Sequence, residues 1–163
     1  MTFYDTIAPS YAGLHRDEQM KKLRTINEHL ALPREARILD VGSGPCWSAE
    51  LFGSVVCVDS SFELLRTAPG GTVRIQARAE ALPFKDRTFD AVLCVTAIHH
   101  FELERALTEM ERVLRPGGSV VVTVLKKAKG KESIVQKLWE LFVIVNDIEE
   151  EKDVLLFLKP SAP

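Results

Sequence analysis

Cysteine is scarce in this chain of 163 residues: there are three, and no two of them stand at CxxC or metal-ligand spacing. That rules out a disulfide framework and a structural zinc site. Cys46, Cys57 and Cys94, each in or beside an apolar stretch, read as buried thiols of a reducing compartment, which points to the cytoplasm. Long hydrophobic runs are missing too. No segment approaches the ~18 apolar residues a membrane span requires, and no basic-then-apolar leader opens the chain. Neither charge sign dominates, and a net charge of −2 with a pI near 6.1 argues against a surface built for phosphate backbones. One basic cluster, Lys126, Lys127, Lys129 and Lys131, reads either as a solvated helix entry or as a contact for an anionic substrate. Asn and Gln are few beside 27% charged residues, a balance met in thermophilic proteins. Repeats, low-complexity tracts and linker-like stretches are absent, so a single domain is expected over 1–163. With 46% apolar residues it is large enough to bury about two thirds of its unfolded surface.

What is present is a strand-turn signature. The run Ile38-Leu39-Asp40-Val41-Gly42-Ser43-Gly44 ends an apolar stretch in Gly-x-Gly, and Val55-Val56-Cys57-Val58-Asp59 ends a second apolar stretch in an acid. Glycine reaches positive φ and leaves no Cβ between main chain and ligand. An acid closing the next parallel strand stands where it can accept from two ribose hydroxyls. Together they describe a nucleoside site at the mouth of a parallel sheet. A dinucleotide fingerprint would need a third glycine at position 47, which is Trp. A nicotinamide oxidoreductase is therefore disfavoured.

Periodicity orders the rest. Residues 17–31 read as an amphipathic helix with Met20, Leu23, Ile26, Asn27 and Leu30 on one face, stopped by Pro33. Strands are expected at 36–41, 54–59, 72–77, 89–95 and 119–125, as continuous apolar runs of the kind buried on both faces. Short helices are expected at 47–52 and 62–67. A clear amphipathic helix repeats Leu103, Ala106, Leu107, Met110, Val113 and Leu114, ending in the turn Arg115-Pro116-Gly117-Gly118. A further helix at 132–141 precedes strands at 142–148 and 153–158. The acidic turn joining those two leaves no room for a crossover, so they must form an antiparallel hairpin.

These blocks resemble the class I S-adenosylmethionine-dependent methyltransferases, type 11 family. Residues 38–44 resemble its glycine motif, residues 74–101 its "GDAEALPFPDGSFDAV…HH" segment, residues 112–122 its "RVLKPGG" strand entry, and Tyr4–Tyr11 its leading "YDxIAxxY". Cys46 replaces the third glycine of the motif, and Arg78 stands where the family often has an acid for the adenine amino group.

The resemblance implies an α/β, Rossmann-like single-domain fold. Its seven-stranded, mostly parallel sheet carries an antiparallel C-terminal hairpin and helices on both faces. Residues 1–33 would be an N-terminal lid and helix, and 34–163 the cofactor-binding sheet. The implied cofactor is S-adenosyl-L-methionine, with Gly42, Ser43 and Gly44 at its methionine end, Asp59 and Ser60 at the ribose, and Asp40 also among the binding residues. Ala79 and Glu80 would lie at the adenine, with Thr96 and Tyr11 beside the reacting end. His99 and His100 are the candidate bases, each with packing or helix capping as its alternative role. Methyl transfer is an in-line displacement, in which alignment alone can supply roughly 7–11 kcal/mol, so no catalytic dyad is required. The acceptor, macromolecule or small molecule, is not specified. No inserted cap is visible over the site, which suits a partner chain or a second copy completing it. The alternative is a catalytically silent cofactor-binding subunit with a regulatory or scaffold role, kept open by Cys46 and Arg78.

Overall fold

Seven strands line up in one sheet in the order β3-β2-β1-β4-β5-β7-β6. The strands are β1 (Ile38–Val41), β2 (Val55–Asp59), β3 (Val73–Gln76), β4 (Phe89–Cys94), β5 (Leu114–Leu125), β6 (Phe142–Glu149) and β7 (Asp153–Pro160). β1 to β5 pair in parallel, while β7 runs antiparallel to both β5 and β6. The expected hairpin is therefore present, and its second strand inserts between its first and β5. This computed structural model describes residues 3–161; the side chains of residues 3–5, 7–12 and 14 lie outside the described residues.

Because successive side chains of a strand point to opposite faces, each central strand feeds two cores. Leu39, Val41, Val92 and Cys94 face α3 (Leu103–Val113) and α4 (Lys131–Leu141). Ile38, Cys57, Ala91 and Leu93 face α1 (Phe3–His29), joined there by Leu65 of α2 (Phe62–Arg66). Asp40 shares the alternation of Ile38, which turns its carboxyl toward the α1 layer. α2 is short and needs its cap: the Ser61 hydroxyl accepts from the Leu64 N–H at 3.2 Å.

Four expectations change. Helix α1 begins at Phe3, not near residue 17. Pro9 and Gly13 blur the periodicity of its first half, but once the docked half is helical extension needs no new nucleation, although Pro9 has no N–H to donate. Asn27 is exposed, so the buried stripe is Met20, Leu23, Ile26 and Leu30. β3 is largely exposed, being the sheet edge, and residues 77–88 reach β4 without a covering helix. Arg115-Pro116-Gly117-Gly118 is absorbed into β5 as a register shift opposite Phe89–Ala91, with Gly117 at φ +77°. A bulge admits such a segment without ending the ladder.

Candidate cofactor site

The C-terminal ends of β1, β2 and β4 open on one cavity of about 330 Å³, within the range of small-molecule sites. The Gly42–Gly44 loop is its first wall. Gly42 has φ +69°, and a Cβ built there would lie 2.5 Å from Ala97 Cβ and 2.9 Å from Phe101 Cζ. The protein itself, before any ligand, requires glycine at 42. Gly44 (φ +53°) and Cys46 (φ +57°) are also left-handed. Cys46 thus holds a conformation suited to glycine. Its buried side chain lies against Ser43 Oγ, with Sγ at 3.5 Å.

The loop is organised by the acid at the end of β2. Asp59 Oδ2 accepts from the Gly44 N–H and Oδ1 from the Ser61 N–H, both at 2.8 Å. The Gly42 and Ser43 N–H groups donate to the Val58 carbonyl at 2.8 and 3.0 Å. Asp59 also lines the cavity, beside Ser60.

Asp40 lies beneath the loop. Its Oδ2 accepts from the Ser48 hydroxyl at 2.5 Å, and its buried Oδ1 has no partner among the described residues. Burial pushes its pKa up to about 7; the Ser48 bond opposes this and the Asp59 charge adds to it. With Ser43 and Gly44 it borders a second, small hollow of about 30 Å³. A buried acceptor with unused capacity, beside a loop that cannot take side chains, fits the cationic ammonium group at the methionine end of S-adenosylmethionine.

On the opposite wall Ala79 and Glu80 line the cavity, with Arg78. Burial alone would raise the Glu80 pKa, but hydrogen bonds from the Glu102 N–H (2.8 Å) and Arg78 Nε (3.2 Å) outweigh it and hold the carboxyl below its usual range. Arg78 also reaches Glu102 at 3.4 Å. It is a surface ion-pair residue.

The two histidines part company. His100 lies on the cavity wall with Thr96, Ala97 and Phe101. His99 does not line the cavity: its Nε2 accepts from the Leu125 N–H at 3.1 Å, and its Nδ1 is buried. Burial, then the neighbouring His100, holds its pKa below the usual value. Thr96 is left-handed at φ +57°. Of the residues singled out from sequence, Gly42, Gly44, Asp59, Ser60, Ala79, Glu80, Thr96 and His100 meet around one cavity, with Asp40 and Ser43 behind the loop. The side chain of Tyr11 lies outside the described residues. Phe101 and Ala97 were not singled out, though each directly follows a residue that was, His100 and Thr96. Among the described residues no group of His, Cys, Asp or Glu is placed to hold a metal ion, and no helix is long and apolar enough to cross a membrane.

The chain is similar to known proteins in sequence and in fold. A profile described as a methyltransferase domain, of the type 11 family, matches residues 39–122. An uncharacterized protein of Methanocaldococcus jannaschii is 33% identical over 129 residues, covering 75% of this chain and 50% of that protein. A ubiquinone/menaquinone biosynthesis C-methyltransferase of Hahella chejuensis is 30% identical over 164 residues, covering 85% of this chain and 64% of that protein. The chain thus spans half to somewhat under two thirds of the length of these two relatives. Among solved structures, a SAM-dependent methyltransferase of Thermotoga maritima superposes with TM-score 0.79 at 21% identity, covering 97% and 98% of the two chains. A chain of the complex between the Haloferax volcanii Trm112 methyltransferase activator and its methyltransferase gives TM-score 0.83 at 13% identity, covering 99% of both. These two likenesses show the fold. With the profile spanning the glycine loop, Asp59 and the histidine segment, the chain belongs to the type 11 methyltransferase domain family, within the class I S-adenosylmethionine-dependent methyltransferases.

Proposed function

We propose that this protein binds S-adenosyl-L-methionine in the cavity between the Gly42–Gly44 loop and Glu80, and transfers its methyl group to an acceptor at the His100 side. The observation that carries the reading is Asp59, which shapes the glycine loop through Gly44 and borders the cavity at the same time. The cofactor supplies a methyl group already activated by its sulfonium. The chain's own residues bind and align: Asp59 and Ser60 hold the ribose, Ala79 and Glu80 face the adenine, and Asp40 balances the ammonium group. His100, exposed at the rim, takes the acceptor's proton where the acceptor has one to lose; a positioned base contributes ~10²–10⁴ in rate. His99 supports the turn from behind through Leu125.

The acceptor enters through an open face, which suits either a macromolecule or a small molecule capped by the N-terminal segment with Tyr4 and Tyr11. The quinone C-methyltransferase relative makes quinone-type carbon acceptors the first class to test. The Haloferax complex makes a partner chain that completes the site a reasonable part of this reading. Three buried free thiols accord with a cytoplasmic location. The silent-subunit alternative rested on Cys46 and Arg78. It loses ground because Cys46 keeps the left-handed turn and Arg78 is engaged with Glu80 and Glu102. Calorimetric titration with S-adenosylhomocysteine, followed by a radioactive methyl-transfer screen over quinones, amines and a cell lysate, tests the proposal. Saturable binding with transfer supports it; binding without transfer to any acceptor returns the silent subunit; no binding overturns both.

A further inference from the structure

A charged lysine is buried in the middle of α1. Lys22 is 3% exposed, and its ammonium lies 2.5 Å from Asp153 Oδ2, 3.0 Å from Glu18 Oε1 and 3.0 Å from Thr96 Oγ1. Asp153 opens β7 opposite Leu125 and is fully buried. Replacing such a buried ion pair by apolar residues is often neutral or stabilising, so stability alone does not account for this one. Thr96 supplies the other half of the argument. It is β-branched and sits at φ +57°, where such residues are outliers. It must be held there by its surroundings. Its N–H donates to Thr123 Oγ1 at 2.7 Å, and its hydroxyl donates to Gln19 Oε1 at 3.3 Å while accepting from Lys22. Two of the groups that restrain this turn therefore come from α1. The next residue, Ala97, is one of the two that leave Gly42 no room for a side chain, with Phe101.

We propose that Lys22 is a positioning residue for the cofactor site: its ammonium, fixed by Asp153 and Glu18, clamps α1 onto the left-handed Thr96 turn and so sets the spacing between that wall and the glycine loop. The clamp links the N-terminal helix, the β7 entry and the cavity through one atom. The proposal deepens the methyltransferase reading and rests on it for the ligand, but the turn can be probed without one.

The test exchanges the pair as a unit, Lys22→Met with Asp153→Leu, so that no buried charge is stranded. The clamp predicts that this variant melts at or above the wild-type temperature and yet binds S-adenosylhomocysteine at least tenfold more weakly. It also predicts that the amides of Thr96 and Ala97 exchange at least tenfold faster in the apo-protein. Adding Thr96→Gly, which takes positive φ without strain, should reduce the further effect of the pair exchange to within about twofold. A purely structural pair predicts no change in affinity or local exchange once melting is matched, and that result overturns the clamp. So does an undiminished loss in the Thr96→Gly background. Should the pair exchange fail to fold, Thr96→Val removes only the gripped hydroxyl, and wild-type affinity and exchange in that variant overturn the proposal equally. If the wild type binds no S-adenosylhomocysteine, the cofactor reading fails, and the apo-protein exchange rates still decide the clamp.

Discussion

Asp40 makes the stability of this domain rise as the solution becomes more acidic, through a window where most proteins change little. The carboxyl is buried with one oxygen lacking a protein partner, and its pKa is raised from 3.8 to about 7. The folded state therefore binds the proton more tightly than the unfolded chain. The stability this contributes is whole below pH 3.8 and is lost as pH rises through 7. At 1.36 kcal/mol per pH unit the full span is worth about 4 kcal/mol, and the step from pH 8 to pH 6 about 1.4 kcal/mol. For a domain of this size that step is roughly 3–6 °C in melting temperature. His99 acts in the opposite sense: its folded pKa is depressed, so its contribution is present above the unfolded value of 6.5 and lost as pH falls through the folded value. Comparing wild type with Asp40→Asn cancels His99 and every other shared group. Asn mimics the protonated acid and keeps an oxygen for Ser48. Asp40→Asn should be more stable than the wild type by about 3 kcal/mol at pH 6 and by about 4 kcal/mol at pH 8, the gap widening by about 1.4 kcal/mol, by differential scanning calorimetry. Parallel melting curves for the two proteins across this range would refute the raised pKa of Asp40.

Asp59→Ala should weaken S-adenosylhomocysteine binding by roughly 10² or more, since each hydrogen bond to an ionised acid is worth about 1.5–3 kcal/mol; equal calorimetric affinity in the mutant would remove Asp59 from the site. Gly42→Ala meets Ala97 at 2.5 Å and must take positive φ, so a loss of about 2–5 kcal/mol is expected in denaturant unfolding. His100→Ala should lower turnover about 10²-fold or more with cofactor affinity unchanged, if the acceptor loses a proton. His99→Ala should instead cost about 1–3 kcal/mol of stability through the stranded Leu125 N–H. Equal effects of the two on turnover would contradict this division. Removing residues 1–14 should leave apo-protein melting within a few degrees and reduce transfer more than cofactor binding; unfolding on truncation would make the segment a structural strap.

The parts of the fold carried by local pattern were legible in the sequence. Continuous apolar runs marked β1, β2, β4 and β5, the Leu103–Leu114 periodicity marked α3, and the short acidic turn at 149–152 required the hairpin. The glycine loop and Asp59 were legible as well, because turn chemistry at a strand end depends on a few adjacent residues. What escaped depends on distant partners. Lys22 stands between the exposed Lys21 and the buried Leu23, and only Asp153 and Thr96, far along the chain, explain the burial of its charge. Thr96 gives no sign of positive φ, because the Lys22, Gln19 and Thr123 side chains hold it there. His99 and His100 are equivalent as letters; the 3-10 turn that carries them sends one to Leu125 and the other to the cavity rim. The exposure of β3 follows from sheet order, which no single strand reveals.

The buried thiols turn this chain into its own kinetic reporter. Cys46 lies under the glycine loop, Cys57 in the middle of β2 and Cys94 at the end of β4, and all three are wholly enclosed. The Cys57 thiol is pushed far up by its contact with Cys46 and by burial, and burial does the same for Cys94. A thiol reagent can then react only when the covering structure parts. For Cys46 that requires the loop alone to lift; for the two strand thiols it requires the sheet to come apart. Local openings cost less free energy than global ones, so modification should proceed in two phases, the fast one at Cys46. A ligand seated against the loop would slow the fast phase in proportion to its occupancy. The residue that departs from the family's glycine pattern would thereby time the breathing of the loop without an added label.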